Sequence, residues 1–137
     1  MKKFLVVTIL FLFAGTVFGQ TFDKDALICI HTLSITLEED VTMDQYLEFI
    51  ADKFFPEYEK TFSCDARLVK GLNRDIEGKI GVLINFKSKQ EWSKYWNDDG
   101  SFTDTGQAEY EKLRPILDEM KKLGTWSSEN VVDWVIQ

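Results

Sequence analysis

DARLVKGLNRDIEGKIGVLINF, residues 65–86, decides the fold of this chain. Residues 65–73 read as one strand and KIGVLINF, 79–86, as the next. In the second run Ile80, Val82, Ile84 and Phe86 share one face, with Gly81, Leu83 and Asn85 on the other. That is the period of two imposed by a pleated strand. RDIEG, 74–78, supplies the turn. Two strands this close in sequence pair as an antiparallel hairpin.

Upstream, residues 26–37 of ALICIHTLSITLEED (26–40) are rich in Ile, Leu and Thr and suit a further strand. Thr42-Met-Asp-Gln45 is a capping box that opens a helix. Met43, Tyr46, Leu47, Ile50 and Phe54 follow at helical spacing, and Pro56 is expected to end or kink this helix near Phe54–Phe55. Downstream, Ser88-Lys-Gln-Glu91 caps a short helix that places Trp92, Tyr95 and Trp96 on one face. NDDGSFTDTG (97–106) reads as a loop, long enough to lie over a pocket mouth. Residues 107–123 read as a helix bent at Pro115, with Gly124 as its cap, and VVDWVI (131–136) as the last strand.

The order is then β-α-β-β-α-α-β, a split β-α-β arrangement. Right-handed crossovers put the helices on one face of a four-stranded antiparallel sheet of order 4-1-3-2. The expected class is α+β, ferredoxin-like. Ile28 and Ile30, with Val132, Trp134 and Ile136, are expected to face the helices beside Ile80–Phe86. Cys29, His31, Leu33, Leu83, Asn85 and Asp133 would then share the open face, which a second copy of the sheet would cover.

MKKFLVVTILFLFAGTVFGQ, the first twenty residues, has a positive head, an apolar run from Phe4 to Phe13, and small residues before Gly19. This is the pattern of a secretory signal cut between Gly19 and Gln20. Residues 20–137 would form the single mature domain, secreted or periplasmic. No later segment is apolar enough to insert into a membrane. Loss of Lys2 and Lys3 takes the net charge from −7 to −9, which disfavours nucleic acid and anionic lipid as partners.

The strand order, the size and stretches such as IGVLINFKSKQEWSKYW (80–96) resemble the dimeric α+β-barrel superfamily, including antibiotic-biosynthesis-monooxygenase-like and stress-responsive barrel proteins. The resemblance lies in pattern and supplies no catalytic set. It implies a homodimer with a pocket for a small organic ligand. Some relatives are cofactor-independent oxygenases or isomerases, others bind haem or small molecules, and many have no assigned activity.

His31, the only histidine, is the sharpest candidate for chemistry. Asp133 from the neighbouring strand would hold one ring nitrogen and raise its basicity, making the pair a candidate base. Cys29, Leu83, Asn85, Trp96 and Trp134 are the candidate ligand contacts. The bland alternative is a hydrogen-bonded histidine in a non-catalytic homodimeric interaction module. Cys29 and Cys64 would pair by default outside the cell. Yet an intervening strand separates theirs by about 9–10 Å, beyond disulfide reach, and free thiols are expected. The chain has no zinc spacing, phosphate loop or dinucleotide fingerprint, so neither metal nor cofactor is expected. NDDGSFTDTG also fails the calcium-loop spacing at its sixth and twelfth positions.

Overall fold

The computed structural model describes residues 22–137, so the expected leader lies outside the described residues. Four strands, β1 (Leu27–Leu37), β2 (Asp65–Lys70), β3 (Ile80–Phe86) and β4 (Gly124–Val135), form one antiparallel sheet. Its order, β2-β3-β1-β4, is the expected order read from the other edge.

Between β1 and β2, α1 (Met43–Phe49) starts at the Thr42–Gln45 capping box. It runs through a π-helical turn, Ile50–Phe54, into α2 (Phe55–Phe62). Pro56 therefore does not end the helix. It falls in the first turn of α2, where its missing N–H follows a segment whose bonding has already shifted to i→i+5. The wider turn lets both Phe54 and Phe55 be buried. After β3 come α3 (Lys89–Trp92), capped by Ser88, then α4 (Asp104–Lys112) and α5 (Arg114–Lys121). The expected bend at Pro115 is a break at Leu113. Gly124, expected as a helix cap, is the first residue of β4, which is twice as long as its apolar C-terminal half suggested.

Residues opposed in an antiparallel ladder project to the same side. Cys29 opposes Ile84 on β3 and Asp133 on β4, and His31 opposes Val82. Cys29, His31 and Asp133 therefore lie on the side of Val82, Ile84 and Phe86, which pack against the helices. Ile30 opposes Leu83 and Val132, and Ile28 opposes Asn85 and Trp134, so these six share the open side. This reverses the expected facing of β1 and β4. Both sides of β1 begin apolar, but only the odd-numbered one stays so through Leu33 and Ile35. The even-numbered one turns to Thr32, Ser34 and Thr36.

The core lies between sheet and helices. Leu27, Leu33, Ala66, Val82 and Phe86 meet Tyr46, Ile50, Phe54, Phe62 and Leu113 there. Among the described residues, no helix is long and apolar enough to cross a membrane.

Candidate functional site

Cys29 and His31 are two apart on β1 and so point the same way; Asp133 reaches them by lying opposite Cys29 on β4. A ligand-capable atom of each of the three lies within 4.8 Å of the others. The neighbouring strand thus supplies the carboxylate expected beside His31, but on the helix side of the sheet. Leu83, Asn85 and Trp134, expected in the same site, are on the opposite side and take no part in it. Trp134 is 61 % exposed there.

A bulge shapes the site. The β1–β4 register shifts between Ile30 and Thr32, so that Asn130 and Val131 together oppose His31. Asn130 adopts the left-handed backbone, φ 49°, as in bulges that add one residue to a strand. Strict alternation from Asp133 would bring Val131 and then Glu129 to the helix side. The extra residue substitutes Ser128, which opposes Leu33. Ser128 Oγ lies 3.2 Å from His31 Nδ1. A hydroxyl therefore orients the imidazole where an unbulged strand would set a carboxylate.

Two adjoining cavities meet at this histidine. The larger, about 390 Å³, has Cys29, His31 and Asp133 in its sheet wall, Trp92 and Trp96 opposite, and Asp98, Asp99 and Gly100 at its rim. The smaller, about 170 Å³, runs from His31 and Ser128 toward Phe54, Phe102 and Trp126. Tyr58, Ile84 and Trp96 border both. The loop after α3 supplies the rim as expected. It is tied down by the Trp96–Phe102 bridge and by Asn97 Nδ2 donating to the Phe102 carbonyl at 3.1 Å.

Burial sets the protonation states. It lowers the pKa of His31 below its ordinary 6.5, partly opposed by the negative charge of Asp133. It pushes the Cys29 thiol strongly upward, and the adjacent Asp133 carboxylate adds to the rise. Tyr58 is likewise held well above its usual value, first by burial and then by the neighbouring thiols and Tyr110. Near neutral pH the cavity wall therefore presents a neutral imidazole, a thiol and a phenol. Both Cys29 and Cys64 are free and buried.

The histidine gives a stability prediction. A group whose pKa is depressed on folding contributes stability above its unfolded pKa, and that stability is lost as the pH falls through the folded value. Between pH 7.5 and 5, the native protein is expected to lose more stability than His31→Gln, as urea unfolding midpoints would measure. Equal losses would mean that His31 ionises as freely when folded as when unfolded.

Sequence reasoning missed Tyr58, because Pro56 was taken to end its helix, and Ser128, because polar TWSSEN (125–130) does not read as strand. The interval of four from Phe54 to Tyr58 was the available signal for the first. No protein-family model and no curated protein sequence matches the chain.

Proposed function

We propose that this is an exported protein that binds a small organic molecule between sheet and helices, with His31 as its proton acceptor. One observation carries the reading: His31 borders both cavities, is oriented by Ser128 and is biased to the neutral form. A neutral imidazole beside a carboxylate can take a proton from a bound acid, the step common to isomerases and cofactor-free oxygenases. The lining narrows the ligand class. The larger cavity has aromatic walls and three carboxylates; Asp98 is paired with Lys89, and Asp99 and Asp133 have no cationic side chain beside them in the lining. That favours a flat neutral or cationic molecule and repels an organic anion.

The test uses naphthalene-sized aromatic probes, one neutral, one cationic and one anionic. Their binding is read by quenching of tryptophan fluorescence, with Trp92 and Trp96 in the cavity wall. The neutral and cationic probes are expected to bind, and the anionic one to bind at least about tenfold more weakly, a difference of about 1.4 kcal/mol. His31→Asn is expected to leave the fold intact and to remove pH-dependent binding of a weakly acidic probe. Indifference to probe charge together with indifference to His31 would overturn the reading.

The open side of the sheet supports the homodimer implied by the dimeric α+β-barrel resemblance. Ile30, Leu83, Val132 and Trp134 form an apolar centre, edged by Thr32, Asp65, Arg67 and Glu129. An apolar centre with a polar rim is the anatomy of a protein interface. In this proposal a second copy covers it, so Trp134→Glu would yield a folded monomer by light scattering. A monomeric native protein at micromolar concentration would remove the dimer and leave the cavity untouched. An interaction module without catalysis is the second reading, favoured by this apolar side. A dimer disrupted by Trp134→Glu, with no probe bound in the cavity, would select it.

A further inference from the structure

Cys29, His31 and Asp133 offer sulfur, nitrogen and oxygen donors from adjacent strands, mutually within 4.8 Å. From this convergence we infer that the three hold one zinc-like divalent ion, with a fourth position open to the cavity. The inference rests on the same cavity as the proposed binding function but gives His31 a second part: with Nε2 on the ion it cannot also take a proton, so proton acceptance belongs to the metal-free protein.

The donor chemistry suits zinc, which takes thiolate, imidazole and carboxylate together and has no geometric demand beyond compact four-coordination. Bonds of about 2.0–2.3 Å place tetrahedral ligands about 3.3–3.8 Å apart. The observed spacing is within 4.8 Å, so binding in this proposal requires the side chains to rotate inward while the Cys29–Asp133 register stays fixed. His31 has the support that a metal-binding imidazole commonly has: Ser128 engages Nδ1, so Nε2 is the nitrogen this proposal gives to the ion. All three donors line the larger cavity, so its space supplies the fourth position. Three protein ligands and one open site is the catalytic arrangement of zinc; structural sites close all four. Asp99 at the rim adds negative charge on the approach, while Asp98 beside it is paired with Lys89 at 3.0 Å.

Binding is an exchange of cations. The ion forms a bond to Cys29 Sγ, the S–H bond breaks, and one proton leaves to solvent while His31 enters neutral. Affinity should therefore rise about tenfold per pH unit while the free thiol remains protonated. The same linkage explains how a buried thiol beside a carboxylate is useful: the ion neutralises the two negative groups that would otherwise repel.

The test is metal binding by the whole purified protein after chelator treatment. One Zn²⁺ per chain is expected, with about one proton released. Loaded with Co²⁺, the protein should show a near-ultraviolet thiolate-to-metal charge-transfer band and the intense visible bands of four-coordination. Cys29→Ser should abolish the charge-transfer band, and His31→Gln or Asp133→Asn should weaken Zn²⁺ binding more than tenfold. Ser128→Ala should weaken it about 10–100-fold, while Cys64→Ser leaves it unchanged. Absence of stoichiometric Zn²⁺ binding would overturn the proposal. So would a charge-transfer band that survives Cys29→Ser, or binding indifferent to all three donors. Circular dichroism of each variant separates ligand loss from unfolding. The aromatic probes test the chelated protein independently. Probe binding without metal binding defeats this site alone; metal binding without probe binding defeats the organic ligand alone.

Discussion

Replacing Phe62 with alanine is expected to destabilise the protein by about 3–5 kcal/mol, the range for removing a fully buried aromatic ring. Phe62 is the last residue of α2 and is wholly inaccessible to solvent. Its ring centroid lies 4.8 Å from those of both Tyr58 and Trp96, and 5.2 Å from that of Tyr95 in an edge-on contact. The alanine would leave Tyr58, Tyr95 and Trp96 without the ring on which all three pack. The cost would be a large share of the roughly 5–15 kcal/mol that stabilises a domain of this size. It would appear as a lower urea midpoint at nearly constant slope. Tyr58 and Trp96 border both cavities, so the aromatic probes should also bind more weakly. Phe62→Leu, which keeps most of the volume, should lose well under half as much stability. A destabilisation below about 1 kcal/mol for the alanine variant would mean that the helix layer is not packed as described.

The second large effect has an unexpected sign. Gly106 lies within α4, where glycine is ordinarily about 1 kcal/mol worse than alanine. Gly106→Ala is nonetheless expected to destabilise by about 2 kcal/mol or more, because an added methyl would force the backbone to move. A Cβ there would stand 1.9 Å from the Tyr95 carbonyl oxygen and 2.9 Å from the Phe102 ring. The same carbonyl accepts a hydrogen bond from the Thr103 amide at 2.9 Å, and Thr103 caps α4 through the Gly106 amide. One methyl therefore strains the helix cap and the loop tied to Trp96 together. Thermal unfolding of Gly106→Ala beside Ala108→Gly decides the matter. The exposed Ala108 should show only the ordinary propensity cost on losing its methyl. A more stable Gly106→Ala would mean that α4 does not touch the loop.

How much of this was legible in the sequence follows from where each signal is local. The hairpin was legible because β3 alternates cleanly and its turn is short. The helix starts at Thr42 and Ser88 were legible because capping is decided within four residues. The facing of β1 was harder, because Ile28 and Ile30 compete with Leu27 and Leu33 for the core and only the Thr-Ser-Thr series from residue 32 breaks the tie. The first half of β4 lacks both β-branched runs and alternation; pairing with β1 makes it a strand. That Cys29, His31 and Asp133 meet depends on a register between strands a hundred residues apart. The bulge that brings Ser128 to His31 depends on a single extra residue, which no composition announces.

That same extra residue acts on the outer margin of the sheet. β4 has β1 on one flank only, and its other row of backbone amides and carbonyls could recruit a stranger's strand. Twelve residues is a long template for such recruitment. The break at Asn130–Val131 divides it into two short, mutually rotated pieces, and Glu129 and Asp133 set a charge in each. A site-forming irregularity thus also protects the chain against growing into filaments by edge-to-edge addition.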